Sequence, residues 1–414
     1  LSQNIVAAWL CGARYIELKT VQTLDTLEIP RPCIDMQDEG YNCEWSQELK
    51  LEQTKTEYIN AWILIHILSH KLNFKDGPGV VFNMSLGYNL EGIMKENIQA
   101  FISEMKDSTT KIKTIKNDLL SVYPSIQDIE IPGCISDNVT LSTMHGCPPD
   151  EIEKIVGYLL QKQKLHTYIK LNPTLLGPEK LREILNYKLG FKTQIPDQAF
   201  EHDLKYIDAV ELVSRLLEVA KNHNLEFGLK LTNTLESLNT RNVFSPEIPM
   251  IYMSGRALHP ISVKLAEQLQ NDFNGSLNLS FSAGVDAFNI SKLIASGLFP
   301  VTVCSDILKP GGYGRFFQYA ETLRSEFSAL KSHSITDYII KKNTIENTSV
   351  KAALANLVNY SNDVIHNPEY IFDPFENKNI KSQKPLNFFD CISPPCIPSC
   401  ATSQDIPQYL YHAS

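Results

Sequence analysis

The sequence predicts an α/β fold: a (β/α)8 barrel whose first strand is missing, followed by a helical appendage. Three observations predict it. Short β-branched runs alternate with longer amphipathic stretches, the pattern of βαβ units and a parallel sheet. Seven such runs follow a start that reads as helix, so one further strand completes the barrel count of eight. No Gly-rich turn follows the first run, as a doubly wound sheet would need.

The candidate strands are Tyr15–Lys19, Val80–Met84, Val139–Ser142, Thr167–Leu171, Phe227–Leu231, Leu277–Ser282 and Pro300–Cys304. Helical patterns lie between and beyond them at Glu57–Leu72, Ile93–Met105, Pro149–Gln161, Tyr206–Asn222, Ile261–Phe273, Ile290–Ser296 and Gly314–Leu330. A barrel short of one strand leaves the outer edges of Tyr15–Lys19 and Pro300–Cys304 unpaired. From Ser334 the pattern changes: Ile335–Val358 reads as a small helical appendage, and Asn362–Phe389, rich in Asn, Pro and Lys, as a linker or strap. The expected division is a barrel over 1–333, an appendage and linker over 334–389, and the start of another domain over 390–414.

Composition narrows the function classes. In 414 residues, 43% hydrophobic and 21% charged are ordinary for a globular chain that buries a large core. A net charge of −9 without a dense Lys/Arg block argues against nucleic acid. The most apolar helical stretch, Ala61–Leu68, is too short to span a bilayer, so no membrane partner is expected. Nine cysteines, mostly dispersed in apolar segments, suit a reducing cytosol better than a disulfide scaffold. No basic stretch leads into an apolar run at the N-terminus, so no signal peptide is expected and the location is read as cytoplasmic. The chain opens at Leu1 inside a helical pattern and stops soon after a cysteine cluster, which reads as a fragment cut at both ends.

In a barrel of this kind the chemistry sits where strands end. Lys19 and Lys170 stand at such ends and can place ammonium groups beside a flavin's N1/O2 edge; a solvent-facing lysine is the alternative. Asn83–Asn89 offers small residues and two amides to a flat polar heterocycle, or is an ordinary turn. His145 and Cys147 both titrate usefully, and Cys147 before Pro148-Pro149 stands at a helix start that lowers a thiol pKa; a helix-start turn with a buried cysteine is the alternative. Small residues at Ser282-Ala283-Gly284 and at Cys304-Ser305 through Gly314 suit a phosphate approached by backbone N–H groups. Cys391, Cys396 and Cys400 are spaced for thiolates around an iron–sulfur cube, whereas zinc would want a second pair.

Several stretches together carry a family resemblance: Tyr15–Gln22 (YIELKTVQ), Phe82–Gly92, Thr140–Pro149 (TLSTMHGCPP), Lys170–Gly177, Lys230–Thr234 (KLTNT), Met253–Pro260 and Leu308–Gly314. The chain resembles the selenate reductase iron–sulfur subunit family and, more distantly, the flavin and iron–sulfur domains of dihydropyrimidine dehydrogenase and class 1 dihydroorotate dehydrogenases. The resemblance implies FMN across the barrel mouth. It puts Lys19, Thr20 and Lys170 beside the isoalloxazine ring, and Asn233 and Thr234 near flavin or substrate. Ser254 and Gly255 match a flavin loop, Ala283, Gly284 and Ser305 a phosphate site, Thr140 a flavin-contacting asparagine, and Asn89 a substrate-binding asparagine. The relatives' Cys-Pro pair after the fourth strand, a general acid there, matches Cys147-Pro148 with a shift in position, and His145 is the runner-up. The terminal segment, with Gln404-Asp405-Ile406-Pro407, resembles the iron–sulfur domain of dihydropyrimidine dehydrogenase and of the glutamate synthase small subunit; Phe388 stands where those relatives have a further cysteine, so the fourth ligand of a [4Fe–4S] cluster comes from elsewhere.

The implied function is a flavin-dependent oxidoreductase that reduces a double bond of a small purine- or pyrimidine-like heterocycle. Its electrons would be relayed from NAD(P)H through iron–sulfur clusters, with FAD and NAD(P)H bound in downstream domains of the same polypeptide. A barrel that has lost flavin and serves as an assembly scaffold is the rival, kept open by Thr140 and Ala283.

Overall fold

A computed structural model describes residues 1–372, apart from residues 20, 22, 28–32, 35–38, 43–46, 143–145, 241–245 and 344. The eleven strands in chain order are β1 (Tyr15–Glu17), β2 (Cys33–Ile34), β3 (Glu39–Asn42), β4 (Val81–Leu86), β5 (Asn138–Ser142), β6 (His166–Leu171), β7 (Phe227–Leu231), β8 (Leu235–Leu238), β9 (Met250–Gly255), β10 (Leu279–Phe281) and β11 (Leu298–Val301).

Seven of them form one parallel sheet in the order β1-β4-β5-β6-β7-β10-β11, a nearly closed barrel of the α/β class. The order follows the chain because each crossover carries a helix back over the outside of the sheet, as parallel neighbours require. β1 and β11 are its two ends, and among the described residues no pairing joins them. Strands covered on both faces read as continuous apolar runs. β7 is buried along its whole length, Phe227–Leu231, with the charged Lys230 as the exception to its apolar run.

The helix Pro149–Gln161 illustrates the outer layer. Pro149 opens it, Asp150 and Glu151 face the positive end of its dipole, and Ile152, Ile155, Val156, Leu159 and Leu160 recur at helical spacing to cover the sheet.

Two expectations need correction. The last barrel strand is Leu298–Val301 and not Pro300–Cys304; Pro300 lies within it, tolerated because β11 ends the sheet and a missing N–H costs least at an edge. The second sheet, antiparallel in the order β2-β3-β9-β8, has no counterpart in the sequence reading. It is built from segments that follow β1 and β7, so it sits at the C-terminal ends of the barrel strands.

The appendage is two helices, Ile335–Lys342 and Ser349–Val364. Both belong to the same compact unit as the barrel, Leu1–Ile371, and Ser349–Val364 packs on the helix Leu258–Asp272. A second unit spans Phe372–Ser414. Cys391, Cys396 and Cys400 lie outside the described residues. No helix among the described residues is long and apolar enough to cross a membrane.

Candidate functional site

A cavity of about 920 Å³ opens where the barrel strands end and runs down between β1 and β11. Its volume is that of a cofactor or substrate site. Lys19 follows β1, Lys170 belongs to β6, and Asn233 and Thr234 follow β7; all four line the cavity. So do Ser254 and Gly255 of β9, Ala283 and Gly284 after β10, and Ser305 after β11.

The floor is charged. Lys170 and Lys230 are register partners on β6 and β7, so their side chains leave the sheet on the same face. Two ammoniums side by side repel unless an anion intervenes. Glu17, on β1 across the barrel, is that anion. Its carboxylate accepts from the Lys230 ammonium and lies 3.9 Å from Lys170. Lys230 also donates to the Thr302 hydroxyl at 2.7 Å, and its side chain is 1% exposed. Burial pushes the Glu17 carboxyl up, but Lys230 and Lys170 more than offset this and hold it below the ordinary range. Burial pulls Lys230 down against the attraction of Glu17.

At the other wall, glycines let backbones approach closely. A Cβ on Gly284 would stand 2.6 Å from the Gly255 carbonyl oxygen, and one on Gly40 would stand 2.5 Å from the Ser254 hydroxyl. Gly284 also has φ +56°, which an L side chain adopts reluctantly. Beside this cradle, Arg256 and Lys309 line a small recess with Gly40, Gly255, Gly284, Val285, Ser305 and two carboxylates, Asp286 and Asp306; Lys309 lies 3.6 Å from Asp306.

The cradle is braced from behind. His259 is fully buried, with Nδ1 donating to the Ala283 carbonyl at 2.7 Å and Nε2 accepting from the Tyr360 hydroxyl at 2.6 Å. Its ring stacks on Tyr370. Asn289 donates to the Gly284 carbonyl at 2.9 Å and to the Tyr370 hydroxyl at 3.1 Å. Burial holds the His259 imidazole down at about 4, so it is neutral in this arrangement.

Other residues singled out in the sequence lie elsewhere. Asn89 caps the short helix Leu90–Ile93, its side-chain oxygen accepting from the Gly92 N–H at 2.9 Å. Thr140 is buried in the barrel and donates to Asn83 at 2.7 Å. Cys147 lines a separate small cavity with Asn172 and Asp203. Asn172 accepts from Asn233 at 3.1 Å and so stands beside both spaces. Asp203 ties the loops together, accepting from the Gly146 N–H at 3.0 Å and the Thr174 hydroxyl at 2.6 Å. The helix start does not lower the Cys147 thiol as expected; burial, then Glu151 and Asp150, push it up to about 11. Thr20 and His145 lie outside the described residues.

Sequence reasoning missed Glu17 and Thr302, passed over Lys230, and read Cys304 only as part of a candidate phosphate-binding strand end. Cys304 lines the main cavity. The available signal was a charged residue inside a short apolar strand, which a barrel interior tolerates only when paired.

This architecture defines a (β/α) barrel with a large cavity at its C-terminal strand ends. The chain belongs to the family described as Oxidoreductase YgfK, N-terminal TIM-barrel domain, whose model matches residues 1–360. That description names an oxidoreductase barrel and not a selenate reductase subunit. YgfK of Escherichia coli (strain K12) and that of Escherichia coli O157:H7 are each 39% identical over 431 residues, covering 99% of this chain and 40% of theirs. The chain thus spans less than half the length of these relatives. Among solved structures, ligand-free DHODH from Eimeria tenella is 15% identical with a TM-score of 0.45, over 79% of this chain and 82% of that one. DHODH from the same organism in complex with ferulenol is 13% identical with a TM-score of 0.46, over 78% of each chain. Scores of this size carry no chemistry from one chain to the other.

Proposed function

We propose that this barrel is the flavin and substrate module of an oxidoreductase that reduces a double bond of a small, flat, purine- or pyrimidine-like heterocycle. The observation that carries the reading is the convergence of Lys19, Lys170, Asn233 and a glycine–serine cradle on one large cavity at the strand ends. The residues fit FMN. The small residues Gly40, Ser254, Gly255, Gly284 and Ser305 keep bulk out of one cavity wall and offer two hydroxyls to a phosphate, with Arg256 and Lys309 in the adjoining recess beside Asp286 and Asp306. Ala283 sits in the cavity wall, and Thr140, buried on Asn83, leaves flavin contact to the other residues named.

FMN held in this cavity would supply hydride to the heterocycle. Lys19, ion-paired with Glu48, and Lys170, 3.9 Å from Glu17, bring positive charge to the cavity wall, where it would stabilise an anionic ring edge. Asn233, oriented by Asn172, and Thr234 offer hydrogen bonds to ring N–H and C=O groups. Cys147 is the proposed proton donor: its raised pKa keeps it protonated at neutral pH, and it lines the neighbouring small cavity behind Asn172 and Asn233, not the main one, so it reaches the substrate only from that side; His145 is the alternative donor. Electrons arrive from NAD(P)H through FAD and iron–sulfur clusters elsewhere in the longer polypeptide. Cys391, Cys396 and Cys400 belong to a [4Fe–4S] site, and the setting is cytoplasmic.

The test uses the full-length enzyme, reduced with NADPH and mixed anaerobically with purine and pyrimidine bases. At least one base should reoxidise it. Cys147→Ser should slow that half-reaction about 100-fold or more while leaving reduction by NADPH unchanged, the usual scale for a lost general acid. Failure of every base to reoxidise the enzyme contradicts the substrate class, and undiminished reoxidation in Cys147→Ser removes that thiol from the mechanism.

A further inference from the structure

Nothing in the flavin reading requires a carboxylate beneath the cavity, yet Glu17 lines it and joins two lysines from neighbouring strands. We propose that Glu17 is a positioning residue that sets the charge of the cavity floor: anchored by Lys230, it holds the Lys170 ammonium in place and cancels half of the positive charge the two lysines present to a bound ligand.

The geometry supports this in three ways. Lys230 does not line the cavity; its ammonium is bonded to Glu17 and Thr302, both of which do, so it stands behind the floor and not at it. Lys170 does line the cavity, with Glu17 at 3.9 Å. The register partnership of the two lysines makes an intervening anion necessary. The cluster carries two cations and one anion, and a single substitution changes its net charge by one in a chosen direction.

The cavity contains its own reporter. Cys304 lines it and is exposed there. Burial pushes the Cys304 thiol up, Lys170 pulls it down, Glu17 pushes it up and Lys230 pulls it down. Tyr313, whose own hydroxyl feels the thiol, is a further titratable neighbour among the described residues. The thiolate fraction of Cys304 therefore reads the charge of the floor with no ligand present.

The experiment measures the pH dependence of Cys304 alkylation by iodoacetamide in flavin-free full-length protein, followed by peptide mass spectrometry. Four forms are compared: wild type, Lys230→Met, Glu17→Gln, and the double variant Glu17→Gln/Lys230→Met. A unit charge at this range is worth about tenfold in thiolate fraction. Glu17→Gln should alkylate about tenfold faster than wild type at neutral pH, Lys230→Met about tenfold slower, and the double variant close to wild type. The double variant removes the buried pair as a unit, so it keeps the ladder readable if Glu17→Gln alone folds poorly. Identical profiles in all forms, or slower alkylation without Glu17, overturn the proposal.

Its consequence for the ligand rests on the flavin reading. In FMN-loaded protein, the preference for reduced over oxidised flavin should rise about tenfold in Glu17→Gln and fall in Lys230→Met, read as the reduction potential. A wild type that takes up no flavin defeats the flavin reading and leaves the Cys304 ladder standing. Flavin uptake with an unchanged potential across the variants defeats the inference alone.

Discussion

Glu17→Gln is expected to destabilise the barrel by about 3–4 kcal/mol, the cost of leaving a buried charge without its partner. Lys230 is 1% exposed, and its remaining described partner, the Thr302 hydroxyl, cannot neutralise it. The cost is bounded because Lys230 can shed its proton; from about pH 10.4 to neutrality that takes about 4–5 kcal/mol. Lys230→Met should cost less, because Glu17 keeps Lys170 and the new side chain is apolar. Chemical denaturation of both variants at neutral pH checks the order. Equal losses would mean that the pair is held by packing and not by charge.

The second large effect is on acid stability. His259 has a folded pKa of about 4, against about 6.5 in an unfolded chain. A depressed folded value means that the unfolded state binds the proton first. The contribution is therefore fully present above about pH 6.5 and is lost as pH falls towards about 4. The full loss is about 3 kcal/mol, with no discount for screening because the ring is completely buried. His66, also pushed down by burial, adds to the same limb. His259→Asn should lower stability at neutral pH and flatten the decline between pH 6.5 and 4. Because His259 links Ala283 to Tyr360, the same variant should loosen the cradle and the helix Ser349–Val364 together. Denaturation curves across that pH range check the slope, and an unchanged slope would remove His259 as its source.

Much of the barrel was readable from local pattern. Phe227–Leu231, Pro149–Gln161 and Tyr206–Asn222 fall where the apolar spacing places them, because length and periodicity agree there. The β2-β3-β9-β8 sheet was not readable, since strands of two to six residues outside the barrel period carry no repeat. Lys19 and Lys170 were legible as strand-end lysines, a position that the barrel itself makes significant. Glu17 was not, because its partner Lys230 stands 213 residues away and no local pattern links them. Asn89 looked like a binding amide but caps a four-residue helix, and the same side chain serves either role in sequence. The Cys147 thiol was misjudged because a helix start argues for a low pKa, while burial and the first-turn acids Asp150 and Glu151 argue the other way.

The central claim is that this cavity holds flavin, and the flavin content of the purified full-length protein tests it most directly. The account predicts a yellow protein with stoichiometric, non-covalent FMN. A folded, colourless protein that takes up no added FMN would contradict it, and would leave the barrel as a scaffold for the rest of the polypeptide.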